Sequence, residues 1–153
     1  MLDYSRALDR AVDAAAKQGV FVVAGAGDED QDACDASPFS TKRVLTVGGG
    51  NTNDERSWPS NWGACVDIFA PGKGTLSTWR GSTTDTHTLS GTAAAAAHGA
   101  GVAAYLLSLQ RDLTHTTPAA LTDEILRLSV RNKISDAPGH TPNQFLRIPA
   151  LTK

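Results

Sequence analysis

Two stretches of the chain hold the residues best suited to chemistry. Asp28 opens the run Asp28-Glu29-Asp30-Gln31-Asp32, four carboxylates in five positions. It follows the apolar segment Val20-Phe21-Val22-Val23, which places it at the C-terminal end of a strand, where open α/β sheets hold ligands. A carboxylate there can take a proton as a base, and the same position also suits a structural acid. The acidic run as a whole reads as a solvated loop, although its charge would attract a cation. The second stretch is Ser90-Gly91-Thr92-Ala93-Ala94-Ala95-Ala96-Ala97-His98-Gly99-Ala100-Gly101. Thr92 caps the alanine-rich helix expected here. His98 falls one turn inside that helix, where a satisfied core histidine is the simpler reading than a ligand. His87 and Thr88 precede the segment and are weaker candidates for lining a pocket.

The elements that must position these groups follow from periodicity and punctuation. Residues 3–17 form an amphipathic pattern with Tyr4, Leu8, Ala11, Val12 and Ala15 near one face, and Gly19 ends it. Val20–Val23 is a continuous apolar strand of the kind found in parallel sheets covered on both faces. Further strands are expected at Val44–Gly48 and Cys65–Phe69, the latter stopped by Pro71-Gly72. Leu76–Trp79 and Thr86–Leu89 form a hairpin around Gly81. A buried helix covers about 92–110. Thr117-Pro118 starts another helix, running to about 131 with Leu121, Ile125 and Leu128 as its buried stripe. A short edge strand is expected near Phe145-Leu146-Arg147.

The order helix, strand, strand, strand, hairpin, helix, helix indicates an α/β architecture in a single domain spanning 1–153. Of the 153 residues 41% are hydrophobic, enough for a core, and the net charge is -2. That balance gives no basic surface for nucleic acid. The apolar runs are broken, so no membrane span is expected, and no signal peptide is visible. Cys34 and Cys65 are too few for a disulfide scaffold.

The segment Ser90–Gly101 resembles the nucleophile segment of the subtilisin-like serine proteases, which reads Gly-Thr-Ser-Met-Ala-(Ser/Thr)-Pro-His-x-Ala-Gly. Other segments agree in order and spacing. Val22–Asp28 resembles the family's strand ending Ala-Ala-Gly-Asn, and Ala36-Ser37-Pro38 resembles its Tyr-Ser-Pro. Val44–Gly48 is similar to the next strand, and Ser60–Gly72 is close to the proteinase K-like branch. Asn132-Lys133 and Thr141-Pro142-Asn143 are similar to its C-terminal sequence. The resemblance covers the C-terminal part of the family's catalytic domain. It implies a partial subtilisin-like fold, a mostly parallel sheet flanked by helices.

By the same resemblance Ala93 stands at the nucleophile position, Ala94 at Met, Ala97 at Pro, and Gly99 at a larger apolar residue. His98 stands at a structural histidine. The family's Asp-Thr-Gly and His-Gly-Thr-His segments do not occur in this sequence. Asp28 takes the place of the Asn whose amide donates to the oxyanion; an ionised carboxylate only accepts. Gly25-Ala26-Gly27 corresponds to the backbone wall of the primary specificity pocket, and Asp28 is expected to face the helix beginning at Thr92. The implied function is that of a non-proteolytic pseudoprotease acting through a binding site or in a complex. The alternative is a repurposed enzyme, an isomerase, cyclase or lyase with a pocket near Asp28 enlarged by the small residues. The resemblance also implies a Cys34–Cys65 disulfide, which suits secreted ancestry without fixing a location. It further implies calcium at the Asp67 carboxylate with the carbonyls of Lys42 and Val44, and no other cofactor. A cut parallel sheet calls for a homodimer or a complementary N-terminal fragment as partner, with Trp58, Trp62 and Trp79 as interface anchors. A small molecule or peptide is the expected ligand.

Overall fold

The computed structural model describes residues 4–109 and 116–148. Helix α1 spans Arg6–Lys17, later than the sequence pattern suggested, because Ser5 is its N-cap and accepts a hydrogen bond from the Leu8 amide. The chain then enters β1 (Val22–Gly25), β2 (Val44–Gly50) and β3 (Ile68–Pro71). A hairpin of β4 (Thr75–Thr78) and β5 (Thr86–Leu89) follows, and then helices α2 (Thr92–Leu109) and α3 (Pro118–Leu128). Two short strands close the order, β6 (Val130–Arg131) and β7 (Gln144–Phe145). The main sheet runs β1-β2-β3-β7-β6. Its first three pairings are parallel, and β6 is antiparallel to β7. This is the α/β fold with a mostly parallel sheet that the sequence implied.

Strand β2 is buried along its whole length. It pairs Val44–Val47 with Val22–Gly25 on one side and Val47–Gly50 with Ile68–Pro71 on the other. Such a strand must be apolar on both faces. One face carries Leu45 and Val47 against Ala95, Val102, Ala103 and Leu106 of α2. The other face of the sheet meets a second cluster containing Phe39, Val66, Phe69 and Ile134. Glycine allows the closest approaches. A Cβ at Gly48 would lie 2.6 Å from the Phe69 ring, and one at Gly25 would lie 2.6 Å from the Thr92 backbone.

Several boundaries differ from the sequence reading. Val20 and Phe21 precede β1, and Val20 is exposed. The third strand is Ile68–Pro71 rather than Cys65–Phe69; the parallel register with β2 sets its start, and Cys65 is tied elsewhere by a disulfide. Helix α3 ends at Leu128, because Val130 and Arg131 leave it to pair with β7. The expected apolar face of α1 is also not a core face: Tyr4 is 58% and Leu8 44% exposed, and Ala16 is its buried residue. Helix α2 is long and apolar enough to cross a membrane by length and composition, contrary to the sequence reading. Its contacts with β1, β2 and β3 make it the core helix of this fold. The far end of the expected second helix, residue 110, and His115 lie outside the described residues.

Cys34 and Cys65 are bonded, with Cα atoms 5.1 Å apart and a sequence separation of 31. The bridge ties the loop after β1 to the segment before β3. A loop of that length restricts the unfolded chain by about 3–4 kcal/mol on the loop-entropy account. Cys34→Ser with Cys65→Ser should therefore lower unfolding free energy by about 2–4 kcal/mol in urea titration. An unchanged midpoint would show that the bridge adds nothing to stability.

Candidate functional site

The site grows from the place where β1 ends and α2 begins. The Ala26 amide continues the ladder to the Val47 carbonyl at 2.9 Å. Asn61, fully buried, then shapes the loop. Its Nδ2 donates to the Ala26 carbonyl at 2.9 Å, and its Oδ1 accepts from the amides of Glu29 and Gln31 at 3.0 and 3.1 Å. The Gly27 amide donates to Thr92 Oγ1 at 3.1 Å. Thr92 Oγ1 in turn donates to Asp28 Oδ2 at 3.2 Å, and the Thr92 amide donates to Asp28 Oδ1 and Oδ2 at 3.0 and 3.2 Å. Asp28 thus faces the start of α2, as the resemblance implied. A carboxylate is favoured there by the unsatisfied amides and the positive end of the helix dipole. Farther along, the Ala94 and Ala95 amides donate to the Gly91 carbonyl at 3.2 and 3.4 Å.

The remaining residues of the alanine segment point away from this contact. Ala93 and Ala97 are exposed on α2, and Ala94 is half-buried. His98 Nδ1 lies 2.9 Å from the Ala94 carbonyl and donates to it, which makes His98 a satisfied helix histidine. His87 packs against Trp79, ring centroids 4.6 Å apart, in the exposed hairpin.

Asp28 lines an open cavity of about 180 Å³. Three glycines, Gly49, Gly72 and Gly91, contribute backbone to it, and Ser57, Trp58, Pro59, Lys73 and Ser90 complete its lining. Gly91 has φ +136°, and a Cβ there would stand 3.1 Å from Asp28 Oδ2. Ala93, Ala94, Ala97, His98 and the Gly25-Ala26-Gly27 wall do not line this cavity. Its space comes from glycine-bearing strand ends instead. The sequence marked Pro71-Gly72 as a strand stop and Trp58 as an interface anchor. Nothing in periodicity brings those loops together; the β2–β3 register does.

The acidic run is held by partners inside the chain. Buried Arg56 donates to Asp30 Oδ1 at 2.7 Å, to the Asp136 carbonyl at 3.1 Å, and to the Ser60 carbonyl. Asp32 accepts from the Cys34 amide at 2.8 Å, and Glu29 accepts from Asn61 at 3.1 Å. Among the described residues no group of three or more His, Cys, Asp or Glu is placed to hold a metal ion.

Asp67, implied as a calcium ligand, is a single half-buried carboxylate just before β3, beside Thr46 of β2. Its Oδ2 accepts from the Thr46 amide at 2.7 Å. Desolvation outweighs that hydrogen bond and raises its pKa to about 6. An oxygen-only donor set of Asp67 with the Lys42 and Val44 carbonyls fits the chemistry of a hard cation, which would offset the cost of the buried charge. In cation-free buffer the sign is that of a raised acid. The stability linked to its protonation is complete below about pH 3.8 and is lost as pH rises through about 6, on the order of 2–3 kcal/mol. With chelator present, the midpoint of thermal unfolding should fall across that window, and Asp67→Asn should flatten the fall. Added calcium should restore stability to the parent chain and leave Asp67→Asn unmoved. A profile identical in parent and variant would contradict this assignment.

The Subtilase family model matches residues 2–145. Cerevisin of Saccharomyces cerevisiae is 43% identical over 151 residues, covering 93% of this chain and 24% of that protein. Alkaline protease 1 of Aspergillus clavatus is 46% identical over 142 residues, covering 93% of this chain and 34% of its own length. A solved structure described as a cold adapted subtilisin-like serine proteinase superposes with a TM-score of 0.89 at 41% identity. That match covers 97% of this chain and 52% of the other. The chain thus spans a quarter to a half of the lengths of these relatives, and it carries their fold across the part it spans. By the family match and the superposition together, the chain belongs to the subtilase family.

Proposed function

We propose that this chain is a non-proteolytic subtilase-fold protein that acts by binding, in a complex with a partner. The observation that carries the reading is the Asp28–Thr92 contact. Acyl transfer on a peptide needs a nucleophile and hydrogen-bond donors for the developing oxyanion. Here a carboxylate takes up the first amide of α2, and Ala93 beside it carries only a methyl group. A fixed negative charge at that point repels an oxyanion. The relatives named as proteases therefore lend the fold to this reading and not the activity.

The partner follows from what the fold leaves uncovered. Strand β1 is an edge of the parallel sheet, with one row of backbone groups open to pairing. Next to it Tyr4, ahead of α1, and Leu8 on α1 are exposed, and α2 presents Ala93, Ala97, Ala100 and Ala104. Hairpin β4–β5 exposes Leu76, Trp79 and Leu89. The matched proteinase has about as much chain again beyond the superposed part. That supports a complementary N-terminal part of a subtilase domain as the occupant of this face. The alternative reading, an isomerase, cyclase or lyase, has in its favour that Asp28 lines the cavity.

The parent chain and Ala93→Ser should both leave a chromogenic peptide anilide uncleaved. Mixed with a polypeptide carrying the N-terminal part of a subtilase domain, the chain should give a one-to-one complex by light scattering. Turnover by the parent chain that a serine-directed phosphonate blocks would overturn the non-proteolytic reading. A homodimer that ignores the added polypeptide would overturn the choice of partner.

A further inference from the structure

The Asp28 cavity is a site with two opposite charges that do not neutralise each other. Asp28 and Lys73 both line it, and neither belongs to an ion pair among the described residues. Lys73 is exposed and has no hydrogen bond or ion pair to any described residue. Asp28 is exposed as well. A carboxylate offers about four acceptor positions, and the three contacts from Thr92 leave capacity for another donor. Trp58, which also lines the cavity, is 72% exposed and belongs to neither core cluster. An indole so placed offers an apolar surface and a π face for an ammonium group. The three glycines let a ligand come against the main chain, and about 180 Å³ is the scale of a single amino acid.

We propose that this cavity binds an α-amino acid as its zwitterion, an inference that deepens the binding role proposed above and rests on it. The ligand's ammonium donates to Asp28 and faces Trp58. Its carboxylate accepts from Lys73. The two charges of the ligand replace the direct ion pair that the protein does not make. A peptide N-terminus presents the same ammonium with a carbonyl in place of the carboxylate, so it would satisfy Asp28 and lose Lys73.

The test uses L-leucine, L-leucinamide and N-acetyl-L-leucine as probes, with isothermal titration and the amide NMR shifts of Gly49, Gly72 and Gly91. L-leucine should bind saturably in the millimolar range, as expected for so small a ligand in an open site. N-acetyl-L-leucine, lacking the ammonium, should bind at least about tenfold more weakly. Asp28→Asn should weaken L-leucine by a similar factor, with its fold checked by the dispersion of the amide spectrum. Lys73→Met, on the surface and without a side-chain partner among the described residues, should weaken L-leucine without weakening L-leucinamide. L-leucinamide binding as tightly as L-leucine to the parent chain would assign the cavity to peptide N-termini and overturn the zwitterion. Equal binding of L-leucine and N-acetyl-L-leucine, or no saturable shift of the three glycines, would overturn the proposal entirely. Either failure without peptide hydrolysis leaves the non-proteolytic reading standing; hydrolysis removes that reading whatever the probes do.

Discussion

The site is organised around one contact, the carboxylate of Asp28 against the first turn of α2. It joins the end of β1 to the start of the helix that forms the core with β1, β2 and β3. The geometry is tight because Gly25 and Gly91 carry no Cβ and Thr92 is buried between them. Thr92 Oγ1 accepts from Gly27 and donates to Asp28, so one hydroxyl satisfies both sides of the junction. The helix terminus is an anion site by construction, and the chain fills it with its own anion.

Around that junction the polar groups form a closed account. Asn61 holds the loop from the inside, Arg56 holds its acidic tip, and the disulfide fastens its far end. A buried arginine is tolerable only with such partners, since an unpaired buried charge costs several kcal/mol. The four carboxylates of the run are thereby divided among four tasks: Asp28 caps, Glu29 meets Asn61, Asp30 meets Arg56, and Asp32 caps the turn at Cys34. Their order reflects the backbone they serve, and cation binding is not needed to explain it. The apolar groups are less complete. The core under α2 and the cluster around Phe69 are buried, while Tyr4, Leu8 and the hairpin remain outside both. A two-stranded hairpin is marginal alone, which is why its uncovered face weighs in the choice of partner.

Much of the fold was legible in the sequence, and particular residues show why. Gly19 and Pro118 marked a helix end and a helix start, and the apolar block at 44–48 marked the central strand, because these signals are local. The start of β3 at Ile68 was not, since parallel register depends on β2. The end of α3 at Leu128 was not, since Val130 is drawn off by β7, a partner 15 residues later in sequence. Tyr4 and Leu8 show the opposite failure: the apolar stripe was present, but no described element covers it. At the site, the facing of Asp28 and Thr92 was implied by resemblance, whereas Lys73 and Trp58 on the cavity wall carried no signal in sequence spacing.

The carboxylate at the helix start is the central contact of the site, and amide hydrogen exchange at Thr92 tests it directly. With Asp28 in place, the Thr92 amide should exchange slowly, as a buried hydrogen-bonded group does. In Asp28→Ala its exchange should rise to the level of a free helix N-terminus while amides of β2 stay protected. Thr92 exchange that is fast in the parent chain, or that is the same in both, would contradict the account.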